Sequence, residues 1–233
     1  MIILNIIQMI LIAVWTLFTV YVVGGLTTKK CAFNFTIYVW APIVFAILLS
    51  RLKIKGKEHV SPNRNYVFMA NHSSYFDIAA LFMATQRKLH FMAKDELRTN
   101  PFTGFMLKKI DMIFIDRTNA YKSKESLKRA ADFISQGRDL MVFPEGTRTT
   151  NGKIGPFKRG GFKIAVDSRI PIIPVVISNT AKAWPCSNVG GCPTTVIVEF
   201  CKAVETTQYT EKNMSELISV VKSTMEETKC KTT

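Results

Sequence analysis

Charge is absent from the first fifty residues except at one point. Residues 1–28 and residues 31–50 contain no Asp, Glu, Lys or Arg, and only Lys29 and Lys30 separate the two stretches. Cysteine is sparse: Cys31, Cys186, Cys192, Cys201 and Cys230 are odd in number and form no C-x-x-C pair. That spacing argues against a disulfide framework or a zinc site and fits a reducing compartment. The chain also lacks internal repeats, low-complexity linkers, a G-x-S-x-G nucleophile elbow and the glycine patterns of Walker and dinucleotide sites.

What is present is a basic chain with ample core-forming material. Thirty-one Lys and Arg against 17 Asp and Glu leave +14, and 48% of the 233 residues are hydrophobic. Such a charge suits nucleic acid, anionic lipid or phosphorylated small substrates. No aromatic stacking platform or recognition helix accompanies it, so nucleic acid is not an expected partner. The apolar N-terminus favours an anionic phospholipid membrane.

The first stretch, residues 1–28, makes a helix of roughly 40 Å, longer than a bilayer core of about 30 Å. The second, residues 31–50, reaches roughly 30 Å and is interrupted by Pro42. No basic residue precedes the first stretch and another apolar stretch follows it, which does not fit a cleaved signal peptide. The expectation is a retained membrane hairpin, either spanning or re-entering one leaflet. Arg51, Lys53, Lys55 and Lys57 follow it and outweigh the two lysines of the turn, which points the remainder to the cytoplasm. The division expected is residues 1–57 as hairpin and basic exit, and residues 58–233 as a globular domain.

In that domain, short β-like runs alternate with helix-like ones. Residues 66–70, 89–93, 112–116, 140–143, 170–178 and 194–200 are strand candidates. The prolines of residues 170–178 suggest an edge or entry strand. Residues 75–86 read as an amphipathic helix, and further helices are expected at 119–137, starting on Asn119, at 156–168, weakened by Gly160 and Gly161, and at 211–229. The alternation predicts an α/β fold with a mixed, largely parallel sheet flanked by helices. Three strand candidates end in polar segments: residues 71–77 ("NHSSYFD"), residues 116–118 ("DRT") and residues 144–148 ("PEGTR"). Ligands of α/β sheets collect beyond the carboxyl ends of strands, so these segments can face one site.

His72 and Asp77 are five residues apart. In a continuous helix they would point roughly 140° apart. If the helix starts near Ser74, a bend brings them together, Asp77 fixes the imidazole tautomer and the other ring nitrogen is free to take a proton. Equally, Ser74-x-x-Asp77 is a capping-box pattern that needs no catalysis. Ser73 and Ser74 are poorly placed as nucleophiles beside that base. On the anion side, the amides of Gly146 and Thr147 suggest a nest and Arg148 a charged fork. Glu145 suits orienting an arginine or accepting from a substrate hydroxyl. Arg117 and Lys94 stand at two other strand ends, and Lys158 and Arg159 offer further cations toward headgroups or a donor's phosphates. His90 reads as a packed strand residue.

Four segments in order then carry a resemblance. "NHSSYFD" resembles the H-x-x-x-x-D block of the glycerolipid acyltransferases, "FIDR" their second block, "FPEGTR" their third and "IPIIPVVI" their fourth, across residues 71–178. The likeness is to the bacterial members that acylate 1-acyl-sn-glycerol 3-phosphate, and the apolar hairpin agrees with membrane-bound members. It implies catalysis by His72 and Asp77, phosphate contacts from Arg117, Glu145, Gly146, Thr147, Arg148 and Lys94, and an acyl-side position for Pro174. It implies acyl transfer from an acyl-CoA or acyl-carrier-protein thioester to the sn-2 hydroxyl of lysophosphatidic acid, with no metal or resident cofactor, at the cytoplasmic face of the inner membrane. Other acceptors, such as glycerol 3-phosphate or an aminoacyl lysolipid, and a non-enzymatic basic membrane-binding protein are the rival readings. One departure stands out: Asp111 occupies a place where the second block commonly has Gly.

Overall fold

The computed structural model describes residues 2–101, 103–116, 120–149, 152–185 and 191–232. Among the described residues seven strands form one sheet: β1 Arg51–Lys55, β2 Val67–Ala70, β3 Leu89–Lys94, β4 Ile113–Ile115, β5 Asp139–Val142, β6 Ile172–Ser178 and β7 Thr195–Phe200, in the order β1-β7-β6-β2-β5-β3-β4. All pairings are parallel except β6 with β7, so the mixed, largely parallel sheet is as expected.

Period-two alternation assigns the strand residues to two cores. Phe68, Ala70, Ile173 and Val175 face one side, with the helix Phe76–Thr85 and the N-terminal hairpin. Val67, Met69, Ile172 and Val176 face the other, with the helices Arg159–Ser168 and Met214–Thr232 and residues of Ala120–Ser135 such as Ala130 and Ile134. The expected helix cap Asn119 lies outside the described residues.

Three expectations are corrected. The strand read as an edge because of its prolines is interior, between β7 and β2. Its Pro174 carbonyl accepts from Cys201 N–H at 2.9 Å. A residue's N and C=O leave a strand on the same side, so the missing donor points to where β7 has just ended rather than into the β2 ladder. Second, the basic exit is itself a strand. Residues 51–55 pair with β7, so the sheet begins ahead of the boundary expected after residue 57, and Arg51, Lys53 and Lys55 charge an exposed edge that would otherwise template aggregation. Third, the helix Phe76–Thr85 is not amphipathic. Asp77, Ala79, Ala80, Leu81, Phe82, Ala84 and Thr85 are all buried, because the hairpin covers the side that would otherwise meet water, with the Phe45 and Phe76 ring centroids 4.3 Å apart.

The hairpin comprises apolar helices over Ile2–Leu26 and Lys29–Ile47, long enough to cross a membrane. Its first helix is inverted relative to a soluble one. Asn5 and Gln8 are buried, while Ile3, Leu4, Ile6, Ile7, Ile10 and Leu11 are exposed. Gln8 Nε2 donates to Ile47 O at 2.7 Å, and Trp40 Nε1 donates to Thr16 Oγ1 at 3.2 Å. Polar groups inside and hydrocarbon outside suit a lipid solvent and suggest membrane association. Pro42 does not break the second helix: Thr36–Trp40 winds as a π-turn, with Ala41 N–H donating to Thr36 O, so the chain adjusts ahead of the ring that would clash.

Candidate active site

β2 and β5 are neighbours, yet the chain leaves them toward opposite faces. After β2 it enters the helix Phe76–Thr85, and after β5 the helix Arg159–Ser168, which belong to different cores. Such a divergence opens a crevice beyond the carboxyl ends of the two strands. Residues 71–75 and 143–149 border it.

Asn71 is the last anchor before the bend. Its side chain donates to Ile177 O at 2.9 Å and accepts from Ile177 N–H at 2.8 Å. The side-chain amide thus imitates a strand residue toward β6 and frees the main chain to turn. His72 N–H then donates to Glu145 Oε1 at 3.0 Å, and His72 O accepts from Thr149 N–H at 2.9 Å. The imidazole stacks on Phe143, with centroids 3.9 Å apart and planes inclined by 13°. Backbone and ring are therefore both held by the segment after β5.

Asp77 answers both readings of its spacing at once. Its Oδ2 accepts from His72 Nδ1 at 2.8 Å, from Ser73 N–H at 2.8 Å and from Ser74 N–H at 3.0 Å. The last contact is the return half of a capping box; the first fixes the tautomer and leaves Nε2 without its proton. The carboxylate is 0% exposed and the imidazole side chain 16% exposed. Asp77 Oδ1 is buried with no hydrogen-bond partner among the described residues. Ser74 Oγ donates to Trp184 O at 2.6 Å, and Ser73 Oγ is 3.0 Å from Thr180 Oγ1. Both hydroxyls are engaged in the scaffold.

The anion side is rearranged relative to expectation. Glu145 is 3% exposed. Its Oε1 takes His72 N–H and its Oε2 takes Gly155 N–H at 2.7 Å, so this carboxylate splints the bend rather than meeting a phosphate. Gly146 adopts φ +69°, a turn conformation that favours glycine, but its N–H donates to Phe143 O at 3.0 Å and is not a free nest donor. Thr147 is exposed at the turn. Arg148 lies with its guanidinium carbon 3.8 Å from the Tyr75 ring centroid, a cation–π contact that holds the fork between the two bordering segments. Lys94 ends β3, with β5 standing between it and β2, and it is exposed. Arg117 lies outside the described residues. Pro174 is buried in the sheet in register with Met69. Asp111 has φ +49°, in the left-handed region where glycine is favoured and Asp is tolerated, so the turn survives the departure.

Two further cations lie on this side, Lys158, which the sequence offered, and Lys229, which it did not. A Cβ on Gly146 would meet Lys158 Nζ at 2.9 Å, so the Lys158 side chain lies against the turn. Lys229, in the last turns of the helix Met214–Thr232, is half-buried; burial holds its ammonium below the usual lysine range, and the Glu145 and Asp77 carboxylates pull it back up. It stands 152 positions beyond Asp77, on a helix expected from the sequence without a functional role. His90 is a core residue, 5% exposed, with Nδ1 donating to Asp111 O at 3.1 Å.

A family model described as Acyltransferase matches residues 51–178. The chain is 28% identical over 185 residues to 1-acyl-sn-glycerol-3-phosphate acyltransferase of Cocos nucifera, covering 79% of this chain and 59% of that protein. It is 32% identical over 183 residues to the protein of the same name from Saccharomyces cerevisiae, covering 76% and 59%, and 34% identical over 130 residues to 1-acyl-sn-glycerol-3-phosphate acyltransferase alpha of Homo sapiens, covering 55% and 46%. It thus spans less than two thirds of these relatives. The crystal structure of the 1-acyl-sn-glycerophosphate (LPA) acyltransferase PlsC from Thermotoga maritima superposes with a TM-score of 0.76 at 25% identity, over 97% of this chain and 98% of that one.

Proposed function

The chain belongs to the acyltransferase family, and from that premise we propose that it transfers an acyl chain from a thioester to the free sn-2 hydroxyl of 1-acyl-sn-glycerol 3-phosphate, giving phosphatidic acid. The observation that carries this reading is the contact of His72 Nδ1 with a fully buried Asp77, at a crevice bordered by Arg148 and adjoining the hairpin's end. His72 Nε2 takes the proton of the acceptor hydroxyl as that oxygen attacks the thioester carbonyl. Asp77 stabilises the imidazolium, whose proton then passes to the departing thiolate. Transfer is direct, since Ser73 and Ser74 are both occupied. Arg148, with Lys158 and Lys229 nearby, holds the acceptor phosphate so that the hydroxyl is placed before reaction; Arg117 and Lys94 are further candidates on the family resemblance.

The donor is an acyl-CoA or an acyl-carrier-protein thioester. The inverted hairpin keeps the crevice at the membrane where lysophosphatidic acid and phosphatidic acid reside. Its basic flank supports an inner-membrane location with the sheet on the cytoplasmic side. The test is an assay of the purified full chain with lysophosphatidic acid and each donor type, beside His72→Ala. Phosphatidic acid is expected with at least one donor, and His72→Ala should retain lipid binding while turnover collapses. A folded chain that makes product with neither donor removes the proposal.

A further inference from the structure

A concentration of cations lies away from the crevice. A cavity of about 860 Å³ opens where β3 and β5 start, lined by Thr85, Gln86, Arg87, Lys88 and Asp139 from the domain. The active-site residues follow the other ends of the parallel strands β2 and β5. Another wall is the first half of the second hairpin helix, with Lys29, Lys30, Phe33 and Tyr38. Lys29 and Lys30 are the only charged residues among the first fifty, and both face this one space.

Its charge is unbalanced. Lys29, Lys30, Lys57, Arg87, Lys88 and Arg138 line it against two carboxylates, Asp111 and Asp139. Each carboxylate is already engaged: Asp111 with Lys29, and Asp139 with Arg87 Nε at 2.6 Å and Tyr66 N–H at 2.9 Å. Lys57 and Arg138 are held in place by neutral partners. Lys57 Nζ donates to Ala84 O at 2.7 Å, and Arg138 lies 3.9 Å over the Phe133 ring while donating to Phe133 O at 3.1 Å. Burial, and after it the neighbouring Arg87, hold the Lys57 ammonium below the usual range. Positive charge gathered in a partly apolar concavity attracts and retains anions.

The walls indicate the kind of anion. Phe33, Val60, Pro62 and Tyr38 give apolar surface beside the cations, and the cavity adjoins a hairpin whose outer face is hydrocarbon. A phosphate attached to a lipid satisfies both parts, and basic pockets beside membrane helices take such headgroups. We propose that this cavity is a headgroup site for an anionic phospholipid, separate from the acceptor site and holding the hairpin turn and the sheet on one lipid.

The test compares the full chain with Lys30→Glu/Lys88→Glu, and with Lys124→Glu/Lys128→Glu as an equal charge change on the exposed face of Ala120–Ser135. Partitioning is measured on phosphatidylcholine vesicles with and without phosphatidylglycerol, and turnover in neutral detergent reports folding and catalysis. The preference for phosphatidylglycerol vesicles should fall by more than roughly thirtyfold in the first variant, since losing two basic side chains at a membrane surface is worth about that and the new carboxylates add repulsion, and change little in the second, with detergent turnover kept in both. Equal losses in the two variants would mean diffuse surface charge and overturn the site. Lost turnover from folded protein would assign the cavity to the reaction instead. Loss of the preference in millimolar inorganic phosphate at matched ionic strength would show that the cavity takes phosphate without lipid. Should the glutamate variant not fold, Lys30→Gln/Lys88→Gln is read the same way with a smaller loss.

Discussion

Glu145→Gln distinguishes a splint from a substrate contact. Both carboxylate oxygens accept main-chain amides, His72 N–H at 3.0 Å and Gly155 N–H at 2.7 Å, in a side chain 3% exposed. Glutamine keeps the shape but offers one acceptor; its NH₂ group must face the other amide. Leaving one buried N–H unsatisfied costs about 1–3 kcal/mol, and replacing a charged acceptor by a neutral one at the surviving bond costs about 1 kcal/mol more. For a chain of this size the sum of about 2–4 kcal/mol lowers the thermal midpoint by roughly 5–15 °C. If Gly155 keeps the carbonyl, His72 loses one of its two main-chain hydrogen bonds and keeps the one from Thr149 N–H, and a displacement approaching 1 Å costs about 100-fold in rate. Differential scanning fluorimetry in detergent and steady-state kinetics read the two effects. The expected result is a lower midpoint and a lower kcat with the acceptor KM nearly unchanged. An unshifted midpoint with a raised acceptor KM and an intact kcat would mean that Glu145 meets the substrate, and the splint argument would be refuted.

Asp77→Asn should preserve folding and lower kcat by about 10³–10⁴, the order seen when a buried carboxylate orienting a catalytic imidazole becomes an amide; turnover within tenfold of the native chain would deny Asp77 its role. Gly161→Ala should destabilise by about 1–3 kcal/mol, because its Cβ would sit 2.7 Å from Val142 Cγ1. Gly160→Ala, whose nearest contact is Leu127 Cδ2 at 3.4 Å, should be neutral or stabilise by up to about 1 kcal/mol; denaturation of the pair in parallel checks the ordering. Burial holds the His90 imidazole below its usual range, so the folded chain binds fewer protons there than the unfolded one. That contribution to stability is complete above about pH 6.5 and is lost as pH falls through the folded value. His90→Gln should flatten this part of the stability–pH curve, measured by thermal unfolding in detergent.

Residue order alone determined the features that depend on local pattern. Two uncharged stretches of membrane length read as a hairpin, β-like runs alternating with helical ones read as an α/β sheet, and the polar segments after β2 and β5 were legible as neighbours at strand ends. These are visible because solvent preference and strand or helix periodicity are properties of neighbouring residues. His72 and Asp77 belong to the same class: both lie at one bend, and their spacing limited what they could do to two readings.

Tertiary structure decided whatever needed a partner far along the chain. Arg51–Lys55 became a strand because β7 offers an edge some 140 residues later, whereas its alternating charges read as a membrane flank. Phe76–Thr85 is buried all round only because the hairpin roofs it, and β6 is interior despite Pro174 because β7 ends beside the missing donor. Glu145 looked like a ligand for substrate until its two oxygens met amides at positions 72 and 155. Lys229 feels the Glu145 and Asp77 carboxylates, and six cations line a second cavity, through packing that no local pattern records. Periodicity tells a residue which way to face; what it faces depends on closing long loops, and that information is spread over the whole chain.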